Sequence, residues 1–190
     1  MPRSYDMTTR ARRAAETSER IAAVAEHLFA SNPIGEVTLD AIAAEADVSV
    51  QTVLRHYDSR DGCIEAVRDR VLKRIDKQRG QTPPGDVDAA LSGLLLHYEA
   101  EGPLILNLLA RETVDPVAGK AVQEGRTYHR NWVKRCFGPH LNTPDSTIID
   151  ALVAATDIYV WKLLRRDLNR SKTETLHVMS RLVEALLKPT

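Results

Sequence analysis

Residues 38–57 read TLDAIAAEADVSVQTVLRHY, and the spacing within this stretch decides the fold. Thr38 and Ser49 each precede a short helical run, where a hydroxyl can accept from a free backbone N–H of the first turn. Ile42, Ala46, Val48 and Val53 are the apolar positions that let two short helices cross. Ala43 is small where the second helix presses on the first. Two such helices joined by a tight turn make a helix-turn-helix. The second is too short and too polar on one side for a core element. Its Val50, Gln51, Thr52, Arg55 and His56 suit a helix lying in a DNA major groove, about 12 Å wide. On spacing alone a plain helical corner remains equally open.

Working outward, helical periodicity recurs and no sustained two-residue alternation does, so the fold class is all-α with about nine helices. Ile21, Val24, Ala25, Leu28 and Phe29 form one stripe, with Thr17 or Ser18 as its N-cap. Residues 1–16 are expected as a basic flexible arm carrying Arg3, Arg10, Arg12 and Arg13, and residues 17–58 as the helix-turn-helix domain. Residues 59–80 form a connecting helix after Ser59, with Ile64, Val67, Val71 and Ile75 along its apolar edge. GQTPPG (80–85) stops it, because two prolines between glycines cannot continue a helix.

The second domain is expected over 86–190. Val87, Leu91, Leu94, Leu95 and Tyr98 give a first buried stripe, and Gly102-Pro103 breaks it. LILNLLA (104–110) reads as a short helix buried on every side. A helix from Asp115-Pro116 follows, its stripe Val117, Ala121, Gly125, Tyr128, Trp132 and Cys136, ended by GPHLNTP (138–144). Residues 145–167 and 173–188 complete the chain. The first of these is apolar on more than one face, which points to packing both inward and against a second copy.

Composition excludes several classes. The longest apolar runs fall far short of the ~20 residues that cross a bilayer. The N-terminus lacks the apolar core of a secretory signal, so a cytoplasmic protein is expected. Cys63 and Cys136 stand apart, and the six histidines show no HxxxH or HxxE spacing, so neither a disulfide nor a metal site is expected. No cofactor is expected either. Net charge is zero, and residues 1–80 carry 13 Lys/Arg against 13 Asp/Glu. DNA affinity must therefore come from a local patch rather than from bulk charge.

From about residue 17 to 67 the chain resembles the TetR family of transcriptional regulators. The resemblance lies in Leu28-Phe29 ending the first helix, Val37-Thr38 before Ile42-Ala43, and Ala46-x-Val48-Ser49-x-x-Thr52-Val53. It continues through Tyr57-x-Ser59-Arg60-Asp61. It implies that Thr38, Thr52, His56 and Arg60 hold phosphates, which positions the duplex without reading it. It implies that Val50, Gln51 and Arg55 meet base edges: a thymine methyl, adenine and guanine respectively. Ser49 and Tyr57 belong to the same DNA-facing set. Three positions depart from the pattern: Asp47 at the usual turn glycine, Leu54 at a frequent tyrosine, and Cys63 at a common leucine.

The resemblance further implies a homodimer through residues 145–188, a double-stranded DNA operator and a small-molecule effector. An enzyme using His97, His129, Cys136 or Asp157 is not expected, because the sequence holds no nucleophile–base motif or Gly-rich phosphate loop. Candidate ligand contacts are the polar or bulky groups among apolar residues: His97, Tyr98, Asn107, His129, Trp132, Asp157 and Trp161. Each also reads as an ordinary interhelical contact. The function expected is a repressor that a largely apolar ligand releases from a palindromic operator. The alternative is a ligand-binding protein of the same fold that no longer reads DNA.

Overall fold

In the computed structural model, which describes residues 3–141 and 145–188, helices are the only regular elements among those residues. They are α1 (Arg3–Ser31), α2 (Leu39–Glu45), α3 (Val50–Tyr57), α4 (Arg60–Arg79), α5 (Val87–Leu109), α6 (Pro116–Phe137), α7 (Ser146–Ala155), α8 (Ile158–Lys162) and α9 (Lys172–Leu187). Short 3-10 turns occupy Ile34–Glu36 and Gly138–His140, and a π turn occupies Leu163–Asp167. The chain is all-α, as its periodicity predicts.

Two compact units divide the chain. One joins the described residues up to Val71 with Pro103–Ala121. The other joins Leu72–Gly102 with the described residues from Val122 onward. The body expected over 86–190 is thus drawn differently, since 103–121 pack with the N-terminal segments. Helices α4, α5 and α6 each begin in one unit and end in the other, so the covalent link is threefold rather than α4 alone.

In the N-terminal unit, Ile21, Ala25, Phe29, Ile34, Ile42 and Val53 are wholly buried. Helix α1 is regular from Arg3, so it runs through the expected cap at Thr17 and Ser18 and through the expected flexible arm. The Thr17 hydroxyl bonds back to the Arg13 carbonyl at 2.9 Å, a mid-helix arrangement. Arg70 on α4 donates to Glu19 and Glu26 on α1. At the end of α1, the Asn107 amide donates to the carbonyls of Phe29, Ala30 and Asn32 at 2.9, 3.2 and 3.0 Å. These are the carbonyls that a helix C-terminus leaves without partners. The run 104–110 is not a separate buried helix. It is the tail of α5, and only Leu104 within it is buried.

In the second unit, α5 continues through Gly102 and Pro103, where a break was expected. Proline removes one backbone donor, but tertiary packing overrides that loss. The bare Cα of Gly102 lies against the Trp161 ring, and a Cβ there would sit 2.5 Å from its Cη2. The buried face of α6 carries Ala118, Val122, His129, Trp132, Val133 and Cys136, about one residue round from the expected stripe. Of that stripe, Trp132 and Cys136 are buried, whereas Gly125 is exposed. The single helix expected over 145–167 divides at Thr156. Asp157 restarts it by capping α8, its carboxylate accepting from the Tyr159 N–H at 2.9 Å.

The loop of 80–86 is held to the end of α6. Gly85 takes a left-handed φ of 84°, which glycine alone adopts freely, and its N–H donates to the Cys136 carbonyl. Arg135 donates to the carbonyls of Arg79 at 2.5 Å and Gly80 at 2.9 Å, so α4 ends on a guanidinium. Past the turn at Gly138–His140, residues 142–144 of the expected terminator lie outside the described residues.

Two glycines should respond oppositely to alanine. Gly102→Ala drives a methyl into Trp161 and is expected to cost about 1–3 kcal/mol. At Gly125, on the exposed side of α6, a Cβ meets nothing within 4 Å. Gly125→Ala is expected to stabilise by about 0.4–1 kcal/mol by restricting the unfolded chain. Urea unfolding of the two variants checks the pair, and a neutral Gly102→Ala would contradict the packing described.

Candidate functional site

Helices α2 and α3 cross on small residues. Ile42, Ala43, Ala46 and Val53 are buried to within a few per cent, and a bulkier group at Ala43 or Ala46 would push the helices apart. Thr38 caps α2 by accepting from the Ala41 N–H at 3.2 Å, and Ser49 caps α3 by accepting from the Thr52 N–H at 3.2 Å. Between them Asp47 adopts φ 51°, the left-handed conformation anticipated at the turn. The Val48 N–H then closes the end of α2 on the Ala43 carbonyl at 3.0 Å.

This crossing puts Gln51 and Arg55, four residues apart, on one exposed face of α3. Among the described residues neither is committed to a hydrogen bond or an ion pair, and α3 contains no acidic residue. Val50, Thr52 and His56 flank them half-buried. The exposed hydroxyls of Thr38 and Ser49 sit at helix starts, where free N–H groups and the helix dipole favour negative charge. Ser49 and Thr52 hydroxyls also share a 2.9 Å hydrogen bond.

Two of the expected DNA-facing residues are turned to internal work. The Tyr57 hydroxyl donates to the Ser18 carbonyl at 2.7 Å and shares a bond with the Ser18 hydroxyl at 2.8 Å, holding α3 to α1. Arg60 donates through Nε to the Val37 carbonyl at 2.8 Å and through Nη2 to that of Ile34. It also pairs with Asp115 at 3.7 Å and lies over the Phe29 ring. Its guanidinium thus pins the loop before α2. Arg10, Arg12 and Arg13 are exposed on α1.

The C-terminal candidates do not form one set. Asn107 lies in the N-terminal unit, capping α1. Asp157 caps α8, and the Trp161 indole donates to Glu99 at 2.9 Å. Arg165 also binds Glu99, and together they hold its carboxyl at about 2. His97, Tyr98, His129 and Trp132 instead gather about a residue that the sequence reading passed over, Arg79. Its signal was present: Arg79 is the next position along the stripe Val71, Ile75.

Arg79 is 3% exposed, and among the described residues no carboxylate pairs with it. Its Nη2 donates to His129 Nδ1 at 2.9 Å. That fixes the tautomer: His129 Nε2–H donates to the Thr156 hydroxyl at 3.0 Å, which donates to the Leu152 carbonyl at 2.7 Å. The guanidinium lies 4.1 Å over the Trp132 ring and 5.5 Å from the Tyr128 ring. Arg79 Nε, Trp132 Nε1 and His97 Nδ1 are buried without partners. Aromatic faces stabilise a desolvated cation by about 2 kcal/mol, whereas burying an ion uncompensated costs several. The cluster is short of negative charge. A separate cleft of about 440 Å³ in this unit is lined by Arg130, Lys134, Gly138, Asp145, Ser146 and Ile149, and none of the candidates lines it.

Both cysteines are buried, and desolvation lifts the Cys63 thiol to about 11 against the opposing charge of Arg60. No helix among the described residues is long and apolar enough to cross a membrane.

Residues 21–67 match the family model described as bacterial regulatory proteins, tetR family. Among solved structures, a TetR-family transcriptional regulator from Streptomyces coelicolor is similar over 98% of this chain and 96% of its own, at 22% identity and a TM-score of 0.75. A transcriptional regulator from Rhodococcus sp. Rha1 is similar over 90% of this chain and 95% of its own, at 20% identity and 0.69. The multidrug binding protein EbrR, complexed with imidazole, is similar over 88% and 89%, at 19% identity and 0.62. No curated protein sequence matches. Residues 21–67 are thus similar to the tetR-family model, and over its length the chain shares the fold of these solved transcriptional regulators.

The buried histidines set a pH dependence. Burial, then the Arg79 cation, holds both His97 and His129 at about 3, against 6.5 when unfolded. Between those values the unfolded chain binds protons that the folded chain refuses, so stability falls as pH drops below 6.5. From pH 7 to 5 the expected loss is roughly 3–4 kcal/mol for the two together, and His97→Gln should remove about half. Urea unfolding at both pH values checks this, and an unchanged stability at pH 5 would contradict it.

Proposed function

We propose that the chain is a one-component transcriptional regulator, a homodimeric repressor of a palindromic operator that a small, largely apolar effector releases. The observation that carries the DNA reading is the exposed, unengaged pair Gln51 and Arg55 on an α3 free of acidic residues. Gln51 suits the N6/N7 edge of adenine and Arg55 the O6/N7 edge of guanine, with Val50 against a thymine methyl. Thr38, Ser49, Thr52 and His56 contact phosphates around them. Arg60 and Tyr57 act one step back, as the posts that hold α3 and the loop before α2. Arg10, Arg12 and Arg13 on α1 add backbone attraction.

Dimerisation through 145–188 is supported by apolar surface left exposed there, with Tyr159 at 54%, Leu163 at 49% and Leu182 at 43%. A two-fold dimer carries two copies of α3, which reach successive major grooves when about 34 Å apart. The effector acts in the second unit and must bind the released state more tightly than the DNA-bound one, by a few kcal/mol, to shift the balance. The continuity of α4, α5 and α6 between units gives it a covalent route. The cytoplasm is where such a regulator works. The second reading, a DNA-silent ligand-binding protein of the same fold, is favoured by the exposed Asp40, Glu45 and Asp47 beside α3 and by zero net charge.

In vitro selection of random duplex DNA by the purified protein separates the two. The regulator is expected to recover a palindrome, and Gln51→Ala with Arg55→Ala should abolish the preference while leaving weak, salt-dependent binding. Recovery of nothing above background, with small molecules still bound, supports the DNA-silent reading instead.

A further inference from the structure

We infer that the Arg79 cluster is a buried anion site, and that the effector carries a carboxylate on an apolar body. The inference rests on the effector reading above and names the chemistry of the ligand. A guanidinium 3% exposed, with no carboxylate partner among the described residues, is an unbalanced buried charge. Folded proteins rarely keep one unless something neutralises it. The groups acting on Arg79 itself are Tyr98, Tyr128, Cys136 and the cation Arg135, while the Asp157 and Asp76 carboxylates act on Tyr98 and Tyr128 rather than on the guanidinium. His129 accepts from Arg79 and is thereby committed to its neutral form, His97 is buried beside them, and Tyr98 donates to the Thr156 carbonyl at 3.0 Å. Arg135 stands close by, its own Nε buried without an acceptor.

Unspent donors define what fits. Arg79 Nε–H and Trp132 Nε1–H have no acceptors, and the His97 ring has an open Nδ1. A planar carboxylate takes two parallel N–H bonds from a guanidinium, which a neutral polar group does not reproduce. The surroundings select the rest of the molecule. Trp132, Tyr98 and Cys136 stand beside Arg79 and Phe137 packs edge-on against Trp132, all of them buried, so the body attached to the carboxylate is apolar. A monoanion suits the unbalanced charge of Arg79 better than a dianion such as a phosphate monoester, because both imidazoles stay neutral.

Thermal unfolding of the full chain tests this with sodium hexanoate and its uncharged analogue hexanamide at millimolar concentration. Hexanoate is expected to raise the midpoint by roughly 2–4 °C and hexanamide to leave it unchanged. Arg79→Met removes the unpaired charge at similar volume. It also leaves His129 Nδ1 without its donor, so its own melting point is not diagnostic, and it is expected to ignore hexanoate. Equal shifts with both probes, no shift with hexanoate, or an undiminished hexanoate shift in Arg79→Met each overturn the inference. Equal shifts would leave the effector reading standing. A hexanoate shift that leaves DNA affinity unaltered would keep the anion site and remove its role as the effector site.

Discussion

The close crossing of α2 on α3 is the constraint on which the rest of the helix-turn-helix depends. Ala43 and Ala46 allow the two helices to approach, Ile42 and Val53 fill the seam, and Asp47 turns the chain between them at φ 51°. Holding a non-glycine residue there costs about 1 kcal/mol, which the surrounding contacts must offset. Everything outward is bracing. Tyr57 ties α3 to α1, Arg60 ties α4 to the loop before α2, and Arg70 joins α4 to α1. The bracing leaves Gln51 and Arg55 free: groups that hold the scaffold point inward, and these two stay exposed on α3.

The second unit inverts that logic. Its polar residues are buried and connected, running from Arg79 through His129 and Thr156 to the Leu152 carbonyl. A connected polar chain in a low-dielectric interior is rigid when every member is satisfied and unstable where one is not. Here the unsatisfied members cluster at one end, around a cation. Binding sites commonly hold local instability of this kind, because the ligand completes what the protein alone leaves open.

How far these features could be read from the sequence follows the range of the interactions. The helix-turn-helix was legible because its caps, seam and turn fall within twenty consecutive residues. Helix continuation through Gly102-Pro103 was not, because Trp161, remote in sequence, settles it. Asn107 drew attention as a polar residue in an apolar run, yet its partners lie 75–78 positions away on α1. The stripe on α6 was placed about one residue off, since Ala118 and Val122 are buried beside less buried Val117 and Ala121. Arg79 lay in plain view at the end of an apolar stripe, where its charge disguised a core position.

Hydroxyl-radical footprinting on a duplex recovered by selection tests most directly whether α3 is delivered to DNA by a two-fold dimer. Two protected patches related by symmetry are expected, their centres about one helical turn apart. A single patch, or uniform weak protection that disappears with salt, would contradict it.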